Sequence, residues 1–228
     1  MHDYQRDFID LLVRHEVLRF GDFTLKSGRR SPYFVNAGQL RTGAAIAGLG
    51  QAYAACLERA GLDFDLVFGP SYKGVPLAVG TAVALAARQR DVGFCFDRKE
   101  QKDHGEGGWF VGTQPTDGMR AVIVDDVVTS GRSIREAATL LREAARVELA
   151  GVVVAVDRME RGESEKTTIA ELREELGAPV HAIVTIREVV DALHGRAVPI
   201  RPGETRVVVD DERRAAIEAY LREHAGAA

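Results

Sequence analysis

Side chains suited to opposite ligands stand together in VIVDDVVTSGRS (122–133). Asp125 and Asp126 repel anions but accept hydrogen bonds from alcohols. Thr129, Ser130, Gly131 and Ser133 make the small, hydroxyl-rich turn that gathers phosphate. A sugar phosphate of the ribose 5-phosphate type satisfies both halves. The turn takes the phosphate, and the acids take the vicinal hydroxyls.

For both halves to meet one ligand, a strand must end at the aspartates and a helix must start at the glycine. AVIVDD (121–126) has the β-branched character of a strand, and Ile134, Ala137, Ala138, Leu141 and Ala145 recur at helical spacing. The carboxyl rim of an open α/β sheet is where ligands bind. A strand running into a helix cap is the bland alternative, and RVVVDDERRAAIEAYL (206–221) provides an internal control. There the aspartate pair precedes charges with no glycine turn, so Asp210 and Asp211 read as a cap on a terminal helix. Neither GxGxxG after a strand nor GxxxxGK[ST] occurs, which removes the main support for dinucleotide and P-loop sites.

Other segments alternate in the same way. DLVFGPSYKG (65–74) reads as a buried strand and turn, VPLAVGTAVALAARQ (75–89) as a buried helix, and VGFCFDRK (92–99), GVVVAVDR (151–158) and VHAIVTI (180–186) as further strands. The fold class is α/β, with a mostly parallel central sheet flanked by helices. No repeat or low-complexity block is present.

A chain of 228 residues suits one such domain, and a net charge of -4 confines phosphate recognition to a few placed groups. Nucleic acid is therefore not expected as a primary partner. Cys56 and Cys95 read as two buried thiols, and His2, His15, His181, His194 and His224 as structural or surface residues. Charges in MHDYQRDFID occupy the place of a secretory apolar segment, and the longest uncharged stretch, 74–87, is shorter than the ~20 residues of a spanning helix. A cytoplasmic protein that does not enter membranes is expected.

VIVDDVVTSGRS resembles the phosphoribosyl-pyrophosphate motif of type I phosphoribosyltransferases. FTLKSGRRSPYFVNAG (23–38), FGPSYKG (68–74), RKEQKDHGEGG (98–108) and VDRMERG (156–162) are similar in order and spacing to orotate phosphoribosyltransferases, over roughly residues 1–190. The resemblance implies a single domain over 1–228 with the type I fold. Residues 1–40 contribute to a small hood, and 98–108 form a mobile catalytic loop. The C-terminal extension and helix, 194–228, depart from the family pattern and take no role from it. The implied reaction, part of de novo UMP synthesis, moves ribose 5-phosphate from phosphoribosyl pyrophosphate to a ring nitrogen of orotate. Its products are orotidine 5'-phosphate and pyrophosphate.

Such a transfer builds oxocarbenium character on the anomeric carbon and negative charge on the leaving oxygens. Arg98, Lys99, Lys102 and His104, beside three glycines, can neutralise those oxygens, although a charge run standing alone reads as solvated loop. Tyr72 and Lys73 can add a backbone N–H and an ammonium. By resemblance the whole run Asp125, Asp126, Val127, Val128, Thr129, Ser130, Gly131, Arg132 and Ser133 holds the phosphorylated sugar. Lys26 lies near the ribose phosphate or the base. Phe34 and Val35 form an apolar slot for orotate, with Val35 standing where the family commonly shows an aromatic. Arg158 grips the orotate carboxylate, and Thr129 adds a hydroxyl. The expected catalytic residues are Lys102, His104 and Asp126, with either Lys102 or His104 donating a proton to pyrophosphate. Magnesium is implied as an ion carried by the diphosphate, without a protein cage. A homodimer with shared active sites is implied because the loop of one subunit reaches its neighbour's site.

Three competitors remain. A purine or uracil phosphoribosyltransferase should lack the Lys26 segment and the Arg158 grip. A regulator that senses phosphoribosyl pyrophosphate without turnover would have little reason to keep Lys102 and His104. A response-regulator-like domain would draw its acids from different strand ends.

Overall fold

The structure, a computed structural model, describes residues 1–25, 28–102, 108–201 and 203–227, with the backbone alone at 99–102. The chain opens with helix α1 (Asp3–Arg14), hairpin strands β1 (Leu18–Thr24) and β2 (Arg30–Val35), and helix α2 (Gly43–Arg59). Strand β3 (Leu66–Phe68), helix α3 (Gly74–Ala86), and strands β4 (Gly93–Lys102), β5 (Gly108–Gly112) and β6 (Arg120–Val127) follow. Helix α4 (Arg132–Ala144), strand β7 (Glu148–Asp157), helix α5 (Thr168–Leu176), strand β8 (Val180–Thr185) and helix α6 (Ile186–Leu193) continue the alternation. A second hairpin, β9 (Ala197–Arg201) and β10 (Glu204–Val207), leads to the terminal helix α7 (Asp211–His224).

The central sheet has six strands in the order β5-β4-β3-β6-β7-β8. Its pairings are parallel except at the β4–β5 edge, as the alternating sequence pattern predicts. Alternation along each strand divides the interior. Val122, Val124, Val153 and Ala155 face a core shared with α1, α2 and α3, whereas Ala121, Ile123, Val152 and Val154 face one shared with α4 and α5. Helix α4 supplies Ile134, Ala137, Ala138 and Leu141 to the second core, the residues whose spacing marked its buried face.

Strand order reverses between β3 and β6, and the helices that follow them, α3 and α4, pack in opposite cores. That divergence opens a crevice at the carboxyl ends of the two strands. The turn after β3 carries Tyr72 and Lys73, and the turn after β6 carries residues 128–131. Topology alone therefore brings together two of the motifs.

The 98–108 segment expected as a loop begins as strand. β4 continues to Lys102, which pairs with Gly108 of β5, and the residues between them lie outside the described residues. Within 1–40 the hairpin β1–β2 carries Phe34 and Val35, while α1 buries Phe8, Ile9, Leu12 and Val13 in the first core. At the other end, Asp210 caps α7 by accepting from the Arg213 N–H at 2.9 Å, the role the control stretch suggested. Cys56 and Cys95 are both buried. No helix among the described residues is long and apolar enough to cross a membrane.

Candidate active site

Strand β6 ends with both acids nearly enclosed, Asp125 at 6% and Asp126 at 7% exposure. The Tyr53 hydroxyl of α2 anchors that end by donating to the Asp125 carbonyl at 2.7 Å. Asp125 Oδ1 accepts from the Asp126 N–H (2.9 Å) and Oδ2 from the Ser133 hydroxyl (2.5 Å). Burial raises the Asp125 carboxyl above its ordinary pKa, and the Ser133 hydrogen bond opposes the shift. The Ser133 hydroxyl thus spends its proton on Asp125, while Thr129 and Ser130 remain beside it on the cavity wall.

Gly131 makes the turn possible. Its φ of 72° is left-handed, and a Cβ there would sit 3.0 Å from two methyl carbons of Leu172. It caps α4, whose first N–H groups have no intrahelical acceptor and suit an anion. Two successive carbonyls of the turn are held by the scaffold: Thr168 Oγ1 donates to the Thr129 carbonyl at 2.9 Å, and Arg135 Nη1 to that of Ser130. Arg135 is itself fixed by Glu175, which accepts from Nε at 2.5 Å and from Nη2 at 2.8 Å.

Across the crevice, Ser71 N–H donates to Asp97 Oδ1 at 2.6 Å, which ties the β3 turn to β4. The next residues are Tyr72, 67% exposed, and Lys73, whose Nζ lies 3.0 Å from Asp126 Oδ2. The expected pyrophosphate ligand and the expected sugar ligand therefore contact each other.

At the far side of the same cavity, whose volume is about 800 Å³, stand Phe34, Val35 and Arg158. Phe34 stacks on Phe23 at 5.6 Å between ring centroids. Arg158, only 4% exposed, lies over the Tyr33 ring at 4.4 Å and donates to Glu160 Oε1 from Nε (2.9 Å) and Nη2 (2.6 Å). Nη2 also reaches Ser31 Oγ at 3.3 Å, and Nη1 has no hydrogen-bond partner among the described residues. Glu160 in turn accepts from the Tyr220 hydroxyl at 2.6 Å and from Arg29 Nη1 at 3.2 Å.

The structure thus gathers Phe34, Val35, Tyr72, Lys73, Asp125, Asp126, Val127, Thr129, Ser130, Ser133 and Arg158 around one space. Val128 is buried in the second core, and the Arg132 side chain turns to Glu136 at 2.6 Å, so only their backbones are placed to serve the turn. Arg98 lies on β4, half-buried, with its Nε enclosed and unpaired among the described residues. Lys26 and His104 lie outside the described residues, as do the side chains of Lys99 and Lys102. Glu160, Arg29 and Tyr220 escaped sequence reasoning. Glu160 sat within VDRMERG, but nothing marked it as the partner of Arg158. Tyr220 reads only as one apolar position of a terminal helix.

Together, the reversed strand order, the acid pair and the glycine-capped helix define a phosphoribosyltransferase. The phosphoribosyl transferase domain family matches residues 37–180. Orotate phosphoribosyltransferase of Lachnoclostridium phytofermentans is 45% identical over 226 residues, 98% of either chain. That of Halorhodospira halophila is 56% identical over 187 residues, 82% of this chain and 86% of its own. The crystal structure of orotate phosphoribosyltransferase from Francisella tularensis superposes with a TM-score of 0.80 at 31% identity, covering 96% of this chain and 99% of that one. The chain belongs to the orotate phosphoribosyltransferase family.

Proposed function

We propose that the protein transfers the 5-phosphoribosyl group of phosphoribosyl pyrophosphate to orotate, giving orotidine 5'-phosphate and pyrophosphate for de novo UMP synthesis in the cytoplasm. The observation that carries this reading is the meeting of three chemistries in one cavity: the acid pair, the hydroxyl turn and the buried Arg158. A purine or uracil would bring no carboxylate to the guanidinium edge that Glu160 leaves open, and a sensing regulator would not need it.

The sugar phosphate sits in the turn from Thr129 to Ser133, held by backbone N–H groups and the Thr129 and Ser130 hydroxyls. Asp125 and Asp126 take the ribose hydroxyls, and Asp126 also offsets positive charge on the anomeric carbon as its bond to pyrophosphate breaks. Lys73 moves from Asp126 toward the pyrophosphate, joined by Tyr72, Arg98, Lys99, Lys102 and His104. One of Lys102 and His104 supplies a proton to the leaving group. Orotate lies in the slot beside Phe34 and Val35, its carboxylate on Arg158 and the Thr129 hydroxyl, with Lys26 near the base or the ribose phosphate. The new bond joins the anomeric carbon to a ring nitrogen, which gives up its proton, while pyrophosphate leaves with the electron pair of the broken C–O bond.

Magnesium brought by the diphosphate would help neutralise charge on the leaving oxygens. Of the two acids, Asp126 would be the one to face such an ion once Lys73 has left its Oδ2, because Asp125 Oδ2 stays engaged by the Ser133 hydroxyl. Two subunits form a homodimer in which the loop of each closes over its neighbour's site and excludes water from the activated sugar. The test is loss of orotate absorbance with purified protein, magnesium and phosphoribosyl pyrophosphate, run beside uracil and purine bases. Turnover of uracil or a purine in place of orotate would overturn the assignment.

A further inference from the structure

The loop that carries Arg158 is bonded along its length to the end of the chain. Arg161 N–H donates to the His224 carbonyl at 2.9 Å, and Gly226 N–H to that of Met159 at 3.1 Å. Ala227 N–H donates to the Glu165 carbonyl at 2.8 Å, and Thr167 N–H returns the bond to the Ala227 carbonyl at 2.7 Å. Ala225 bridges Glu160 in antiparallel fashion, and Ala227 bridges Lys166 in parallel. The chain end therefore runs between the two arms of the loop as an inserted strand would. Gly226 is the tight point, because a Cβ there would lie 2.5 Å from the Lys166 carbonyl carbon and the Thr167 nitrogen.

The same segment holds two features that set the guanidinium. Met159 is left-handed at φ 59°, a conformation that non-glycine residues rarely adopt. It is kept there by Asp157 Oδ1 on its N–H at 2.7 Å and by Gly226 on its carbonyl. The Tyr220 hydroxyl of α7 then donates to the Glu160 oxygen that Arg158 also holds. A carboxylate arriving at Arg158 meets the charge of Glu160, and the Tyr220 and Arg29 donors are what offset that repulsion.

We propose that Tyr220 and residues 224–227 form a positioning clasp for recognition of the planar acid: they fix the Arg158–Glu160 pair and thereby set orotate affinity without touching either substrate. The proposal rests on the assignment of Arg158 to the orotate carboxylate.

The test compares wild type with Tyr220→Phe, Gly226→Val and a chain ending at Glu223. Truncation and Gly226→Val are expected to raise KM for orotate about tenfold and Tyr220→Phe about threefold, with KM for phosphoribosyl pyrophosphate and kcat held within about twofold. Tyr220→Phe removes one oxygen, so it keeps the test decisive where truncation fails to fold. Hydrogen exchange of the Arg161 and Thr167 amides, followed in wild type and Gly226→Val, reads the clasp independently of turnover, and faster exchange is expected in the variant. Equal increases in both KM values, an unchanged orotate KM, or unchanged exchange would each overturn the proposal. Failure of the wild type to consume orotate would instead count against the reading of the reaction.

Discussion

Lys73 Nζ lies 3.0 Å from Asp126 Oδ2 and so ties the turn after β3 to the end of β6 across the strand-order reversal. The lysine side chain is 65% exposed and screened by water although Asp126 is buried, so the pair contributes at most about 1 kcal/mol to stability. Its value is in balancing the charge of the buried acid. Lys73→Ala is expected to leave the melting temperature nearly unchanged while raising KM for phosphoribosyl pyrophosphate about tenfold. Steady-state kinetics beside a thermal melt separates the two effects, and a large drop in melting temperature would argue for a structural lysine instead.

Asp126→Asn keeps the shape and removes the charge. Turnover should fall about a hundredfold, with weaker binding of the phosphorylated sugar, because an amide neither neutralises the anomeric carbon nor accepts as strongly from a diol. Unchanged turnover together with unchanged affinity, measured by kinetics and calorimetric titration, would refute the role given to this acid.

Gly131→Ala forces a side chain into a left-handed position already crowded by Leu172. The expected cost is about 1–2 kcal/mol of stability. Displacement of the turn N–H groups should also raise KM for phosphoribosyl pyrophosphate about tenfold or more, since small misplacements at a site are expensive. Denaturant unfolding and kinetics of the same preparation would show both, and a full loss of stability with unaltered KM would contradict the placement of this turn.

For Asp125, burial lifts the folded-state pKa above its unfolded value. On raising the pH the unfolded chain loses its proton first, so the stabilising contribution is complete below pH ~3.9 and fades as pH climbs through the raised folded value. Asp125→Asn removes that titration. Relative to wild type, the variant should gain thermal stability from about pH 4 upward. Melts across this range that keep a constant difference would mean that burial is not the controlling influence on this group.

Shared sites predict complementation. Mixing Lys102→Ala chains with Asp126→Asn chains should give hybrid dimers with one intact site out of two. With random exchange about half the dimers are hybrid, so activity should recover to about one quarter of wild type. Verified hybrids with no recovery would rule out sharing.

Much of this arrangement was legible in the sequence because its causes are local. The β6–α4 unit announces itself through an apolar run, an acid pair and a glycine at the turn, and each works through its immediate neighbours. The division of the interior between alternate residues of β6 and β7 was not legible, because these strands are apolar on both faces. What else stayed hidden depends on long-range pairing. Glu160 looks like any charge in a polar loop until Tyr220 and Arg29 are brought to it, from sixty positions downstream and 131 upstream. Ser133 reads as a free phosphate-binding hydroxyl until the fold turns it to Asp125. Arg132, counted with the turn because of its neighbours, projects along the helix to Glu136. Gly226 gives no signal at all, since its constraint is a close approach to Lys166 and Thr167 and its φ is not left-handed.

Placing residues 225–227 against the 159–167 loop ties one wall of the cavity to the packing of a distant helix. Withdrawal of α7 would remove the backbone partners of Met159, Glu165 and Thr167 together while leaving every strand of the central sheet paired. The wall that carries Arg158 can therefore loosen as a unit without the scaffold opening.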